Sequence, residues 1–119
     1  MQISRSPLAR PFPEMPAIAG VTLRVARARY KEWDRCDLTF AELAEGTAAA
    51  GVFTKSACAS SEVELGREAV KQGRARALIV NAGNSNAFTG YRGREAVDAI
   101  RAQVSAALEC STDEVFVSS

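Results

Sequence analysis

The chain has 119 residues, a single-domain length, and its 47% hydrophobic and 24% charged residues are the composition of a folded protein, not a disordered one. A net charge of +1 excludes the global electrostatic attraction that nucleic acid or an anionic membrane surface requires. No apolar run is long enough to cross a bilayer as a helix, and residues 1–20 hold none of signal-peptide length.

Residues 7–16, Pro7-Leu-Ala-Arg-Pro-Phe-Pro-Glu-Met-Pro16, contain all four prolines and cannot form regular helix or central strand. Residues 1–18 therefore read as an extended arm ahead of an α/β domain over residues 19–119. From Gly20 the pattern alternates, with Val21, Leu23 and Val25 on one side and Thr22, Arg24 and Ala26 on the other, which predicts a half-buried strand. Arg5, Arg10, Arg24, Arg27 and Arg29 read as solvated charges. Tyr30 to Cys36 is a polar and aromatic loop, and Asp37 to Leu43 a second strand. Thr47 to Thr54 reads as a third strand of unusually small residues, Ala48-Ala-Ala-Gly51, closing on Val52-Phe53. Ser61-Glu-Val-Glu64 has the form of a capping box, opening a helix through Leu65, Ala69 and Val70 with Gly73 just past its end. A buried strand follows at 75–80.

The segment Asn81-Ala-Gly-Asn-Ser-Asn-Ala-Phe-Thr-Gly90 then leads from that strand into a helix over about 92–109, whose stripe is Val97, Ile100, Val104 and Leu108. Val115-Phe-Val117 is a final strand, so strand 75–80, the helix and strand 115–118 form a βαβ unit with a right-handed crossover expected. The fold class is α/β, a mixed sheet with flanking helices. A strand that ends at Ser118-Ser119 without a closing element leads us to expect a fragment of a longer domain.

A strand opening through glycines and asparagines into a helix gathers backbone N–H groups and the positive end of the helix dipole. Asn81, Asn84 and Asn86 add amides that both donate and accept. Gly83, Gly90 and Gly93 do not follow the spacing of a dinucleotide fingerprint, and no Gly-Lys-Ser/Thr sequence marks a P-loop. The residues alone leave two readings open: an anion or amino-acid site, or asparagines that satisfy neighbouring turns.

The chain has no histidine. Ser-His-Asp and Cys-His catalysis and most mixed-ligand zinc sites are thereby removed, whereas an amino-terminal threonine or serine that uses its own amine as base remains available to an enzyme of this kind. The cysteines, Cys36, Cys58 and Cys110, are odd in number and form no Cys-x-x-Cys pair. They read as reduced thiols serving as small, buried apolar residues in a soluble, cytoplasmic protein. Asp37, Glu42, Asp113 and Glu114 read as capping or solvated carboxylates, and Trp33 with Tyr30, Lys31 and Arg35 as one isolated aromatic patch.

Four segments resemble the ornithine acetyltransferases, also called glutamate N-acetyltransferases or the bifunctional arginine-biosynthesis proteins. They are Phe12-Pro-Glu-Met-Pro-Ala-Ile-Ala-Gly20-Val, Asp37-Leu-Thr-Phe-Ala-Glu-Leu, Ala50-Gly-Val-Phe-Thr-Lys55 and Ala75-Arg-Ala-Leu-Ile-Val-Asn-Ala-Gly-Asn-Ser-Asn-Ala-Phe-Thr-Gly90. The resemblance implies the amino-terminal part of such a protein, within an α/β/β/α sandwich of the self-cleaving type. It implies a precursor that cuts itself before an internal threonine, which then carries acetyl from N-acetylornithine to glutamate. No cofactor is implied; acetyl-CoA is a donor substrate for some members. The implied partners are the remainder of the cleaved enzyme, as a hetero-oligomer of its chains, and small amino-acid substrates, with neither nucleic acid nor membrane. The family's oxyanion Thr-Gly would follow Ser119 and its nucleophile lies further on, so no catalytic residue carries over and the 119 residues alone are expected to be inactive. Asn81, Gly83, Asn84, Asn86, Thr89 and Gly90 are expected to shape the floor of the site. The alternatives are a stand-alone α/β module binding an anion or amino acid at 81–90, or a degenerate relative without a site.

Overall fold

The computed structural model describes residues 6–119. Its elements in chain order are β1 (Val21–Ala26), β2 (Leu38–Leu43), α1 (Ser61–Ala69), a 3-10 turn (Val70–Gln72), β3 (Ala77–Asn81), α2 (Gly90–Leu108), a second 3-10 turn (Thr112–Glu114) and β4 (Val115–Ser118). The strands form one sheet in the order β1-β2-β3-β4, antiparallel at the first two junctions and parallel between β3 and β4. The parallel pair is the one joined through α2, since a parallel neighbour cannot be reached by a tight hairpin.

Period-two alternation sorts each strand onto two faces. Ile79 and Val117 face the helices, where they pack with Leu65 of α1 and Val97 and Ile100 of α2 around the core. Arg101 of α2 is buried beside this core. Its guanidinium donates to the carbonyls of Thr112 and Val115 and to Asp98 and Asp113, fastening the helix to the start of β4.

The opposite face has no helix on it. The register sets Leu23, Ala41, Leu78 and Phe116 in one row across all four strands, with Val25, Thr39, Val80 and Ser118 in the next. Leu23 and Val25 are 68% and 65% exposed. The half-buried β1 expected from the alternation is therefore present as a strand, but its apolar side is exposed at Leu23 and Val25, whereas Ala41 in the same row is buried and residues 48–51 lie beside Leu78 and Phe116. The radius of gyration, 15.8 Å, exceeds the about 13–14 Å of a closed domain of this length, and residues 6–20 are exposed throughout.

Residues 47–54 do not form the expected third strand. A single bridge joins Ala48 to Arg74, with the Ala49 N–H donating to Gly73 and the Ala75 N–H to Thr47. Alanine and glycine lend a strand little side-chain packing, and the segment instead turns the Phe53 ring toward α1. A β-carbon built on Gly66 would lie 3.0 Å from that ring.

The expected capping box at Ser61 is absent as well. Ser60 is the residue before the helix and gives no side-chain cap, and the Glu64 N–H donates to the Ser60 carbonyl. With the boundary one residue earlier, the reciprocating position falls on Val63, which has no acceptor to offer. The box occurs at Ser111, whose hydroxyl accepts from the Asp113 N–H while its own N–H donates to Glu114. Gly73 does close the first helical segment, in the left-handed conformation at φ 69°.

The cysteines depart from expectation too: Cys36 and Cys58 are exposed, on loops that the core does not reach, and Cys110 is half-buried. Burial, assisted by Glu114 and opposed by Arg76, pushes the Cys110 thiol up from its ordinary value. Among the described residues no helix is long and apolar enough to cross a membrane.

Candidate functional site

The segment 81–90 spans from the last residue of β3 to the first of α2, and its six singled-out residues are held in different ways. Asn81 is buried at the end of β3, where its Oδ1 accepts from the Ser119 hydroxyl at 2.9 Å. Because β3 and β4 are parallel, their carboxyl ends open on the same edge of the sheet, the usual position for a site in such an arrangement. The hydrogen bond ties the two ends together.

One residue on, the Ala82 N–H donates to the Asp37 carbonyl at 2.8 Å. Asp37 is buried, and its carboxylate accepts from the N–H groups of Ala28 at 2.5 Å and Tyr30 at 3.0 Å, organising the turn after β1. Burial alone would raise the carboxyl. The N–H groups of Ala28, Tyr30, Asp37 itself and Arg29 outweigh it and hold the group below its ordinary value.

That turn carries Trp33 onto Gly83. Gly83 has φ 94°, and a β-carbon there would lie 2.7 Å from the indole. Both conformation and space call for glycine. Arg35 and Lys31 sit 4.1 and 5.3 Å from the centre of the Trp33 ring, within cation–π range.

Asn84 is exposed. Asn86 is fixed from α1: its side-chain amide donates to Glu62 Oε1 at 2.8 Å and its backbone N–H to the same oxygen at 3.2 Å. Thr89 donates its hydroxyl back to the Asn86 carbonyl at 2.8 Å, and Gly90 begins α2 at φ 58°. Burial pushes the Glu62 carboxyl up, but its own N–H, the Asn86 amide, the Ser60 hydroxyl and the Asn86 N–H together hold it below its ordinary value.

The six residues do not share one cavity. Asn86 and Gly90 line an open cleft of about 420 Å³ between the amino ends of the two helices, with Cys58, Ser61, Glu64, Phe88, Tyr91 and Arg94. Asn81 lines a separate groove of about 200 Å³ under α2, beside Tyr30, Leu38, Ile79 and Ile100. Among the described residues no cluster of three or more histidine, cysteine or acidic side chains could hold a metal.

Four residues that hold the segment carried other readings in the sequence: Asp37 as a capping or solvated carboxylate, Trp33 as an isolated aromatic patch, Glu62 as part of the expected capping box and Gly93 as a glycine off the dinucleotide spacing. A β-carbon on Gly93 would meet Thr89 Oγ1 at 1.8 Å, so the threonine occupies the space the glycine leaves. The four-residue interval from Thr89 to Gly93, one helical turn, was the available signal for that contact. Glu62 and Asp37 gave none, since their partners are distant in sequence.

A mixed four-stranded sheet carrying two helices on one face, with an asparagine-rich segment at the ends of its parallel strands, defines an α/β domain with a candidate site at the carboxyl edge of its sheet. It superposes on the crystal structure of ornithine acetyltransferase from Mycobacterium tuberculosis complexed with ornithine. The TM-score is 0.73 at 33% identity, over 84% of this chain and 55% of that one. It also superposes on the arginine biosynthesis bifunctional protein ArgJ from Bacillus halodurans with a TM-score of 0.78 at 25% identity, over 84% and 53%. The ArgJ family model matches residues 22–119, and the chain belongs to the ArgJ family. The ArgJ protein of Zymomonas mobilis is 58% identical over 115 residues, 96% of this chain and 28% of its own length. That of Bradyrhizobium diazoefficiens is 50% identical over 121 residues, 100% of this chain and 29% of its own. The chain thus spans less than a third of the length of these curated relatives.

Proposed function

We propose that the chain is the amino-terminal part of a glutamate N-acetyltransferase that moves acetyl from N-acetylornithine to glutamate in arginine biosynthesis. The observation that carries this reading is the joined edge of the sheet, where Asn81 at the end of β3 is bonded to Ser119 beyond β4. In the family the oxyanion Thr-Gly follows at that point. Donors that stabilise an oxyanion work only if they are held in place before the reaction, and losing one costs about a hundred- to thousandfold in rate. Asn81 holds the residue before that segment, and Gly83, Asn84, Asn86, Thr89 and Gly90 shape the loop that leads from it into α2.

The chain reads as an arm over residues 1–18 and a domain over residues 19–119, completed by the rest of the enzyme. Its uncovered apolar sheet face is the surface on which the second sheet of an α/β/β/α sandwich packs. The nucleophilic threonine comes from the remaining sequence after self-cleavage in the cytoplasm, so the active protein is an assembly of its cleaved chains. Relative lengths support this division. The matched chains of the solved structures are about twice as fully covered as the curated relatives, as chains roughly half as long would be. The family's nucleophilic threonine has no counterpart among the residues matched here, so acetyl transfer is expected to need the rest of the protein.

The test is to incubate the full-length protein with N-acetylornithine and isotopically labelled glutamate and follow labelled N-acetylglutamate. Transfer that needs the full-length protein supports the reading. A folded full-length protein that transfers no acetyl from N-acetylornithine refutes it.

A further inference from the structure

Glu62 is the second residue of α1 and only 5% exposed, yet its hydrogen bonds run to a residue 24 positions further along the chain. Both donors to Oε1 come from Asn86, and the second oxygen, Oε2, is buried with no hydrogen-bond partner among the described residues. A carboxylate kept for stability alone would be expected to have its lone pairs used, since an unsatisfied buried oxygen is costly. Among the described residues its hydrogen bonds are the two from Asn86, helped by the first turn of α1.

Contacts continue beyond Asn86. Its carbonyl accepts from the Thr89 hydroxyl, and Thr89 is seated over Gly93 in the first turn of α2. Glu62 is therefore the point at which the bend 86–90 is referred to α1, and Asn86 forms part of the wall of the 420 Å³ cleft between the two helices. Without it, the bend has the Thr89 contact to its own helix but no side-chain tie to the neighbouring one.

We propose that Glu62 is a positioning residue for acetyl transfer: it fixes Asn86, and through Asn86 and Thr89 it sets the bend 86–90 that walls the cleft between the two helices. The inference rests on the acetyltransferase reading above. It predicts that the pairing of Glu62 with Asn86, more than the presence of a charge at 62, sets the rate.

The test uses the full-length enzyme carrying Asn86→Asp, Glu62→Gln, both together, and Glu62→Ala. Asn86→Asp sets two carboxylates against each other and lowers kcat about tenfold or more at neutral pH, with KM changed by less than about threefold. Adding Glu62→Gln reverses the polarity of the pair, the introduced glutamine amide donating to the introduced aspartate, and returns kcat to within about threefold of Glu62→Gln alone. Glu62→Ala lowers kcat by at least as much as Asn86→Asp. A double variant no faster than Asn86→Asp, or a folded Glu62→Ala enzyme with unchanged kcat, overturns the proposal. Melting temperatures restored by the swap without restored kcat assign Glu62 to stability alone and overturn it equally. If the wild-type enzyme transfers no acetyl, the functional reading fails and takes the proposal with it. Transfer by the wild type without rescue by the swap refutes only the proposal.

Discussion

Replacing Gly93 by alanine tests how tightly segment 81–90 is seated on α2. In an exposed helix the change would stabilise, because alanine is about 1 kcal/mol the better helix former. Here the added methyl would lie 1.8 Å from Thr89 Oγ1, 2.9 Å from Thr89 Cβ and 3.2 Å from Asn86 Cβ. Thr89 must leave its place and surrender the hydrogen bond to the Asn86 carbonyl, about 1 kcal/mol. The displaced backbone adds an overpacking cost of about 1–3 kcal/mol. Set against the helix gain, the balance is a loss of about 1–3 kcal/mol, read as a lower urea midpoint at unchanged slope. Adding Thr89→Ala removes the shortest contact and should recover part of the loss. Gly93→Ala with a midpoint equal to or above that of the wild type would refute the reasoning.

Other substitutions probe other parts of the account. Arg101→Met removes a buried guanidinium from the Thr112 and Val115 carbonyls and from Asp113. It should destabilise by about 3 kcal/mol in chemical denaturation, with Arg101→Lys recovering little because one ammonium cannot reach all three. The Asp37 carboxyl is held below its ordinary 3.8 in the fold, so its stabilising effect is complete above that pH and is lost as pH falls through the lower folded value. Asp37→Asn should thus lower the urea midpoint at neutral pH and flatten its fall below 3.8; an unchanged acid limb would contradict this. Asn84→Ala, at an exposed position, should lower acetyl transfer by the full-length enzyme about tenfold or more while leaving its melting temperature unchanged. Full activity would remove Asn84 from the site.

The β-strands were legible because their residues alternate or are β-branched, and α2 because its apolar residues recur at helical spacing. The alternation of β1 located the strand but not what covers it: Val21, Leu23 and Val25 face a side of the sheet on which no described residue places a helix. Residues 47–54 misled because an apolar run of alanine and glycine carries no period, and their place was decided by Phe53 finding room beside Gly51 and Gly66. The segment 81–90 stood out by composition and by its likeness to a family, yet two of the hydrogen bonds that hold it reach the Asp37 backbone carbonyl and the Glu62 carboxylate. Neither partner can be told from its neighbours in the sequence until folding brings Ala82 and Asn86 to them. The pairing of Asn81 with Ser119 was foreshadowed by the βαβ unit alone, since parallel strands joined by a helix must end on one edge.

The intact mass of the native protein, measured with its co-purifying chains, tests whether the proposed self-cleaving acetyltransferase is the protein to which this chain belongs. Two polypeptides are expected, the first containing these residues and continuing beyond Ser119, the second beginning with threonine. A single polypeptide, whether it ends at Ser119 or runs on uncut, would contradict it.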